Sequence, residues 1–556
     1  MSVETWDYIV VGAGSAGCAL AARLSEDPAV RVLLLEAGPR DRSPWIHLPI
    51  GYGKTMWSER LNWRFHTEPQ REMDGRRLYW PRGRTLGGSS SINGLIYIRG
   101  QREDYDGWAA LGNPGWSWDE VLPYFVRSEC NERGASALHG DAGPLRVSDI
   151  GAAHPLVESF IDGARAIGLP RNDDFNGPSQ EGAGYYQLTT WRGWRWSAAR
   201  AYLQPARRRH NLHVLTGAQA TGLVFEGRRA VGVRWRRGER THEARATAEV
   251  LLCAGAVQSP QLLQVSGVGD PEHLQSIGVP LRHALPGVGR NLQDHLQLRL
   301  IYECTRPITT NDQLRSWRGR AAIALQWALH RSGPLAVGIN QGGAFVRALP
   351  ESTRPDTQFH VATLSADMAG GKVHPFSGFT VSVCQLRPAS RGWVLAASPD
   401  ALQAPRIQPR YLSAPEDRRA AVAALHAARA IVATPPMRAL VHHEHKPGLA
   451  AHEGDDSLLA FARREGATIF HPVGTCRMGP DEGAVVDAAL RVRGLQGLRV
   501  VDASVMPTLV SGNTHAAAVM IAEKAADLIR HERRGTAAAA GYRSSDFAVD
   551  AAGAAS

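Results

Sequence analysis

The stretch DYIVVGAGSAGCALAARLSEDPAVRVLLLEAGP, residues 7–39, leaves few folds open to this chain. Tyr8–Val11 is a short apolar β-prone run, residues 15–25 are rich in Ala and Leu, and 31–35 is a second β run. Strand, helix and strand in that order form a parallel βαβ unit with a right-handed crossover. Gly12, Gly14 and Gly17 occupy the turn as G-x-G-x-x-G. The first allows the sharp turn, the second lets a pyrophosphate approach the backbone, and the third lets helix and strand pack closely. Ser15 and Ala16 open the helix, whose unpaired N–H groups face the anion. Glu36, with Ala37 beside it, stands nineteen positions after Gly17, where an acid binds ribose hydroxyls. A Gly-rich turn without a ligand leaves Glu36 unexplained. The turn alone does not separate FAD from NAD.

The chain is too long, at 556 residues, for one ordinary core, and two large domains are expected. Residues 211–238 alternate β-branched and aromatic residues between glycines, which reads as an antiparallel meander. Residues 248–269 return to strand then helix, 318–333 and 416–433 read as helices, and 378–398 reads as sheet. Dinucleotide-type segments therefore occur near the start, middle and end. The expected division is a dinucleotide domain of 1–155, 210–300 and 456–534, and a second domain of 156–209 and 301–455. Residues 535–556 read as a disordered tail.

The formal net charge is +10, mostly from scattered Arg such as Arg207, Arg208 and Arg209. No nucleic-acid docking motif accompanies it, so a nucleic-acid partner is not expected. The six cysteines form no C-x-x-C pair and lie mostly in apolar stretches, which favours buried free thiols. Cys384 is read this way too. Residues 441–448, VHHEHKPG, lack H-E-x-x-H spacing and read as a solvated loop, so no metal site is expected. The start of the chain has no charged n-region before an apolar run, so no secretory signal is expected. Glycines and Arg23 interrupt the apolar run at 8–24, so it is not read as a membrane span. A cytoplasmic protein is expected, with peripheral contact to the inner membrane left open.

Further segments carry a family resemblance. GRTLGGSSSINGLIY (83–97) and GAVQSPQLLQVSGVG (255–269) resemble the two signatures of the glucose–methanol–choline (GMC) flavin oxidoreductases. PGVGRNLQDH, FHPVGTCRMG, VVDASVMPT and GNTHAAAVMIAEKAADLI are similar to further pieces of that family, in family order. The similarity runs from about Asp7 to about Arg530, nearest to the choline-dehydrogenase-like branch. It implies an α/β FAD-binding domain, Rossmann-like, interleaved with an α+β substrate-binding domain that carries an antiparallel sheet. It also implies FAD as the dinucleotide. Gly87 and Gly88 would present amides to the pyrophosphate or flavin, and Asn93 and Gly94 would line the flavin ring. Asn93 as a plain turn-capping residue is the competing reading. Ala220 would meet the adenine part, and Asp502 and Ala503 the ribityl–pyrophosphate side. Some relatives tether FAD through a His just before that Asn. Ile92 stands there, so bound but dissociable FAD is expected.

The resemblance implies alcohol oxidation, with proton abstraction by a base and hydride transfer to flavin N5. His471, followed by Pro472 and Gly474, matches the family base, and imidazole suits that role near neutral pH. The rate should then rise as His471 loses its proton. The family's second residue is His or Asn at the start of the last long helix. Asn513 and His515 both qualify, and register favours His515, with Asn513 holding backbone or cofactor. The substrate is expected to be a neutral primary alcohol oxidised to an aldehyde, with a quinone or other carrier as acceptor. An oxidase using oxygen and a non-redox hydroxynitrile lyase are the alternatives. Choline-oxidising relatives carry Glu two positions after the DH of NLQDH, where this chain has Gln297, so choline should be a poor substrate. Phe470 or Trp327 could still supply an aromatic cage.

Overall fold

The computed structural model describes residues 4–368, 370–448 and 454–550. The βαβ unit forms as read: strand Glu4–Val11, helix Ser15–Leu24 and strand Val32–Glu36, the two strands parallel. Helix Ser15–Leu24 is short and built of small residues because it is buried on nearly every side. It packs on the last helix, His515–Asp550, and on its own strands. Glu523, fully buried, receives Arg23, Arg127 and Tyr202 and ties the two helices together.

The first sheet takes its strands from three distant parts of the chain. Its order is Leu212–Thr216, Val32–Glu36, Glu4–Val11, Arg240–Leu252, Arg229–Arg237 and Gln219–Glu226, with Leu498–Val500 beside Arg240–Leu252. The reading of 211–238 as one antiparallel meander is corrected at its start. Leu212–Thr216 pairs in parallel with Val32–Glu36, and only the later strands run antiparallel. Period-2 alternation is the same in both pairings, so it could not tell them apart. Strand Arg240–Leu252 joins the two styles, antiparallel to 229–237 from Arg240 to Arg245 and parallel to Glu4–Val11 from Ala244 to Leu252.

The second sheet runs Val441–Lys446, Leu296–Cys304, Gly378–Gln385, Thr357–Ala362, Asn340–Val346 and Gly182–Tyr185, antiparallel throughout. Strand Leu296–Cys304 shows how this sheet positions the site. Leu296, Leu298, Leu300, Tyr302 and Cys304 enter a core shared with helix Pro415–Val432. Side chains alternate across a strand, so Gln297 and Arg299 face the other way, into a cleft between the two sheets.

Three more expectations meet the structure here. Residues 441–446 are a strand on the sheet edge rather than a loop; their charged and His side chains sit on an edge position that tolerates them. Glu303, half-buried, and the exposed His442 and His443 place three ligand-type atoms within 4.8 Å of one another there. The last helix runs on to Asp550, where a disordered tail had been expected from 535; the Ala-rich sequence is a strong helix former, and 551–556 lie outside the described residues. All six cysteines are buried free thiols.

Candidate active site

One cleft runs from the Gly turn at the C-terminal end of the inner strand Glu4–Val11 to the inner face of the second sheet. Gly12, Gly14, Ser15, Ala16, Glu36 and Ala37 line its first end. Gly12 has φ of 101°, a left-handed backbone that favours glycine. Gly17 does not line the cleft. A Cβ on it would lie 1.9 Å from the Gly12 carbonyl oxygen, so its role is close packing of helix on strand. The Glu36 carboxylate accepts from Ala13 N at 3.0 Å and Gly38 N at 2.7 Å, and burial pushes its pKa up to about 7. Gly88, Asn93, Gly94, Ala220, Asp502 and Ala503 continue the wall, while Gly87 stays behind it, its N–H donating to the Ala13 carbonyl. Asp502 accepts from Gly255 N and Ser259 Oγ and caps the turn at Ser504, so it braces the second signature segment.

At the other end His471 meets two partners. Its Nδ1 lies 3.0 Å from Nδ1 of His295, and its Nε2 lies 3.1 Å from Asn513 Nδ2. The proton positions follow from the ends of this chain. His295 Nε2 is 2.9 Å from the Leu386 carbonyl oxygen, an acceptor only, so Nε2 carries the hydrogen. Burial holds the His295 pKa down to about 4, so the ring is neutral and its Nδ1 is a lone pair. His471 Nδ1 must then donate. Burial, with His295, His360 and Arg82 nearby, holds the His471 pKa well below the ordinary histidine range. Its Nε2 is therefore an unprotonated acceptor in the cleft. Asn513 presents its amide nitrogen there because Gln358 Nε2 donates to its Oδ1 at 3.2 Å.

The backbone aims this ring. Asp294 Oδ1 accepts from His471 N at 2.7 Å, while Oδ2 accepts from Tyr411 and Thr468. Phe470 is left-handed, with φ of 71°, a conformation that costs a bulky residue on the order of 1–2 kcal/mol. Thr468 Oγ1 holds its N–H and Arg82 its carbonyl, so the strained turn persists. Pro472 restricts His471 to extended backbone.

Residues 6–297 match the N-terminal part of the GMC oxidoreductase family and residues 388–522 its C-terminal part. The chain is 45% identical over 529 residues to the alcohol dehydrogenase (acceptor) of Pseudomonas putida, covering 94% of this chain and 95% of that one. The chain belongs to the GMC oxidoreductase family. It is 43% identical over 538 residues to the mitochondrial choline dehydrogenase of Homo sapiens, covering 95% of this chain and 90% of that one. A crystal structure of pyridoxine 4-oxidase from Mesorbium loti superposes with a TM-score of 0.86 at 34% identity, covering 95% of this chain and 99% of that one.

As a GMC oxidoreductase the protein is an FAD-dependent enzyme acting on CH–OH donors. The cleft fits the cofactor. His515 Nε2 is buried in its wall with no partner among the described residues. A Cβ on Gly94 would meet nothing within 4 Å, and one on Gly14 nothing nearer than 4.0 Å, so both face open space. Asn93 lines the cleft, and its Oδ1 accepts from Leu95 N at 3.2 Å and Arg195 Nη1 at 2.6 Å, as a turn-capping residue does. No hydrogen bond joins His515 to His471 among the described residues. His515 opens the last helix, and its Nδ1 lies 2.9 Å from Ser15 Oγ at the Gly turn. Of the two, Asn513 is the residue that hydrogen-bonds His471. His295, Asp294 and Gln358 also belong to this site and carry no assignment from sequence. The one trace of the first two was the segment NLQDH.

Proposed function

We propose that this GMC oxidoreductase oxidises a primary alcohol to an aldehyde, with His471 Nε2 as the base. The observation that carries the reading is the fixed tautomer, an unprotonated Nε2 facing the cleft beside an amide donor. The alcohol hydroxyl donates to His471 Nε2, and Asn513 Nδ2 donates to the same oxygen. As the O–H bond breaks, its proton moves to His471 Nε2, and the Asn513 N–H holds the charge that develops on oxygen. When bound, FAD supplies the two-electron acceptor for the hydride of the alcohol carbon. His515 lies on the Ser15 side and is read as a cofactor contact. Ile92 occupies the tethering position, so the cofactor is held without a covalent bond there. The expected partition into a cofactor domain of 1–155, 210–300 and 456–534 and a substrate domain of 156–209 and 301–455 follows the two sheets except at two places: the 300/301 boundary falls inside strand Leu296–Cys304 of the second sheet, and Ala467–Thr468 pairs with that strand. Loss of flavin absorbance on adding an alcohol without oxygen tests the reading; no bleaching by any alcohol would favour the lyase alternative. Peroxide release during turnover in air would assign oxygen, rather than a quinone or carrier, as acceptor.

A second observation bears on location. No helix among the described residues is long and apolar enough to cross a membrane. Helix Trp317–His330 nevertheless exposes Trp317 at 69%, Leu325 at 58% and Leu329 at 66%. Residues 313–350 contain no Asp or Glu, and Arg315, Arg318, Arg320 and Arg331 are exposed around these apolar side chains. This charge pattern fits an anionic lipid surface. Ile339 and Asn340, a few residues on, line the cleft, so docking would bring its wall near a membrane quinone. Sedimentation with vesicles containing phosphatidylglycerol, lost on Leu325→Ser/Leu329→Ser, is expected. Equal sedimentation of both proteins would refute it.

A further inference from the structure

The cleft face of the second sheet carries a cation that the alcohol chemistry does not use. Arg299 pairs in register with Ser382, and Ser382 with His360, so the three form one row across adjacent strands, and all three line the cleft. Arg299 Nε donates to Gln297 Oε1 at 3.0 Å, and Nη1 to the Asp367 carbonyl at 3.3 Å. A guanidinium has five N–H donors, so three have no partner among the described residues. No carboxylate among them lies within ion-pair distance of Arg299, unlike the buried Arg99 and Arg499, which meet Glu129 and Glu249.

Other arginines around the cleft differ in how their donors are spent. Arg195 gives its hydrogens to the carbonyls of Ile46, Ser90 and Pro49 and to Asn93, whereas Arg82 spends two of its five on Pro81 and Phe470 but has the Asp294 carboxylate near enough to favour its charge. The carboxylates that line the cleft, Glu36 and Asp502, stand at the dinucleotide end and are held by amides and a hydroxyl. Among the described residues the alcohol end is therefore lined by two guanidiniums with unspent donors, Arg82 and Arg299, and no anion; the buried Asp294 offsets the charge of Arg82, and no carboxylate offsets that of Arg299. Burial disfavours its charge and pushes the guanidinium below its ordinary range. Such a group is stabilised by an anion that arrives with the ligand.

We propose that Arg299 is an anion subsite of the alcohol chamber, and that the preferred substrate is an alcohol bearing a carboxylate. The proposal rests on the reading of His471 as base. Residues 295, 297 and 299 alternate onto one face, His295 touches His471, and the Arg299 guanidinium leans back to Gln297. At ~3.4 Å of rise per residue, that places the cation roughly 7–10 Å along the strand from the base. A 4-(hydroxymethyl)benzoate or a medium-chain ω-hydroxy acid spans this gap; a short hydroxy acid does not.

The test uses the FAD-loaded enzyme and three variants of one substrate: 4-(hydroxymethyl)benzoate, its neutral methyl ester and benzyl alcohol. The acid is expected to exceed the ester in kcat/KM by about 10- to 100-fold, the worth of a charge-assisted pair, with the difference mainly in KM. Arg299→Gln should abolish that ratio and Arg299→Lys should restore part of it. Binding of 4-methylbenzoate, which has no hydroxyl, is read separately by perturbation of the flavin spectrum and should weaken with Arg299→Gln. Equal kcat/KM for acid and ester, or an unchanged ratio in Arg299→Gln, overturns the subsite. If 4-methylbenzoate binds through Arg299 but no alcohol is oxidised, the subsite stands and the redox reading fails. If the ester is oxidised and 4-methylbenzoate does not bind, the redox reading stands and the subsite fails.

Discussion

Replacing His295 with Phe should slow the enzyme through a group that never touches substrate. In the native site His295 Nδ1 accepts the only hydrogen of neutral His471, and this leaves His471 Nε2 bare. Phe fills the space and offers no acceptor. The His471 N–H at Nδ1 then sits buried without a partner, which costs about 1–3 kcal/mol. The ring avoids that cost by moving its hydrogen to Nε2, where the Asn513 carboxamide can turn its oxygen to accept. The competent tautomer falls by the same free energy, about 5- to 150-fold. The assay is the rate constant for flavin reduction at saturating alcohol, measured anaerobically by stopped flow, with FAD content checked first. His295→Gln is the control, since its side chain can accept from His471 and donate to Leu386; it should recover most of the rate. Wild-type reduction by fully FAD-loaded His295→Phe would refute the tautomer argument, as would equal slowing by both variants.

Three further outcomes follow from the same geometry. The His471 pKa is lowered by burial, so the neutral base persists to lower pH and activity is lost only as pH falls through that lowered value. Flavin reduction should therefore be flat from about pH 8 to 6.5, and an acid limb centred at or above about 6.5 would count against it; this replaces the sequence expectation of a rise near neutrality. FAD should be released intact on acid precipitation because Ile92 cannot bond to it, and flavin left on the polypeptide would show another tether. Choline should be worse than its neutral isostere 3,3-dimethyl-1-butanol, since Arg299 repels a second cation by roughly 2 kcal/mol at 7 Å and an effective dielectric of 20, about thirtyfold; a higher kcat/KM for choline would remove both the Gln297 and the Arg299 arguments.

Local signals carried the fold where the chemistry is local. The Gly turn, its two strands and Glu36 lie within one βαβ unit, and each residue's role depends on neighbours a few positions away. Strand 212–216 was misassigned because alternation reports a half-buried surface and not the direction of the partner. The edge strand 441–446 looked like a loop because its side chains are polar on an exposed rim. The alcohol site was only half legible. Asn513 and His515 are two positions apart at a helix start, and spacing alone does not say which turns toward His471 and which toward Ser15. His295 meets His471 across 176 positions, and Arg299 acquires its meaning from the lack of a carboxylate partner among the described residues. Neither fact has a signature along the chain. Gln297 entered the reading only as the place where choline-oxidising relatives carry Glu; in the structure its side chain is held by Ser382 and Arg299.

The central claim is that His471 Nε2 removes the alcohol proton, and His471→Ala tests it most directly. The measurement is anaerobic flavin reduction by 4-(hydroxymethyl)benzoate or benzyl alcohol, whichever the wild type reduces faster, in protein of equal FAD content. The account predicts a rate constant lower by roughly 10²–10⁴-fold with the flavin spectrum retained. Reduction at the wild-type rate would contradict it.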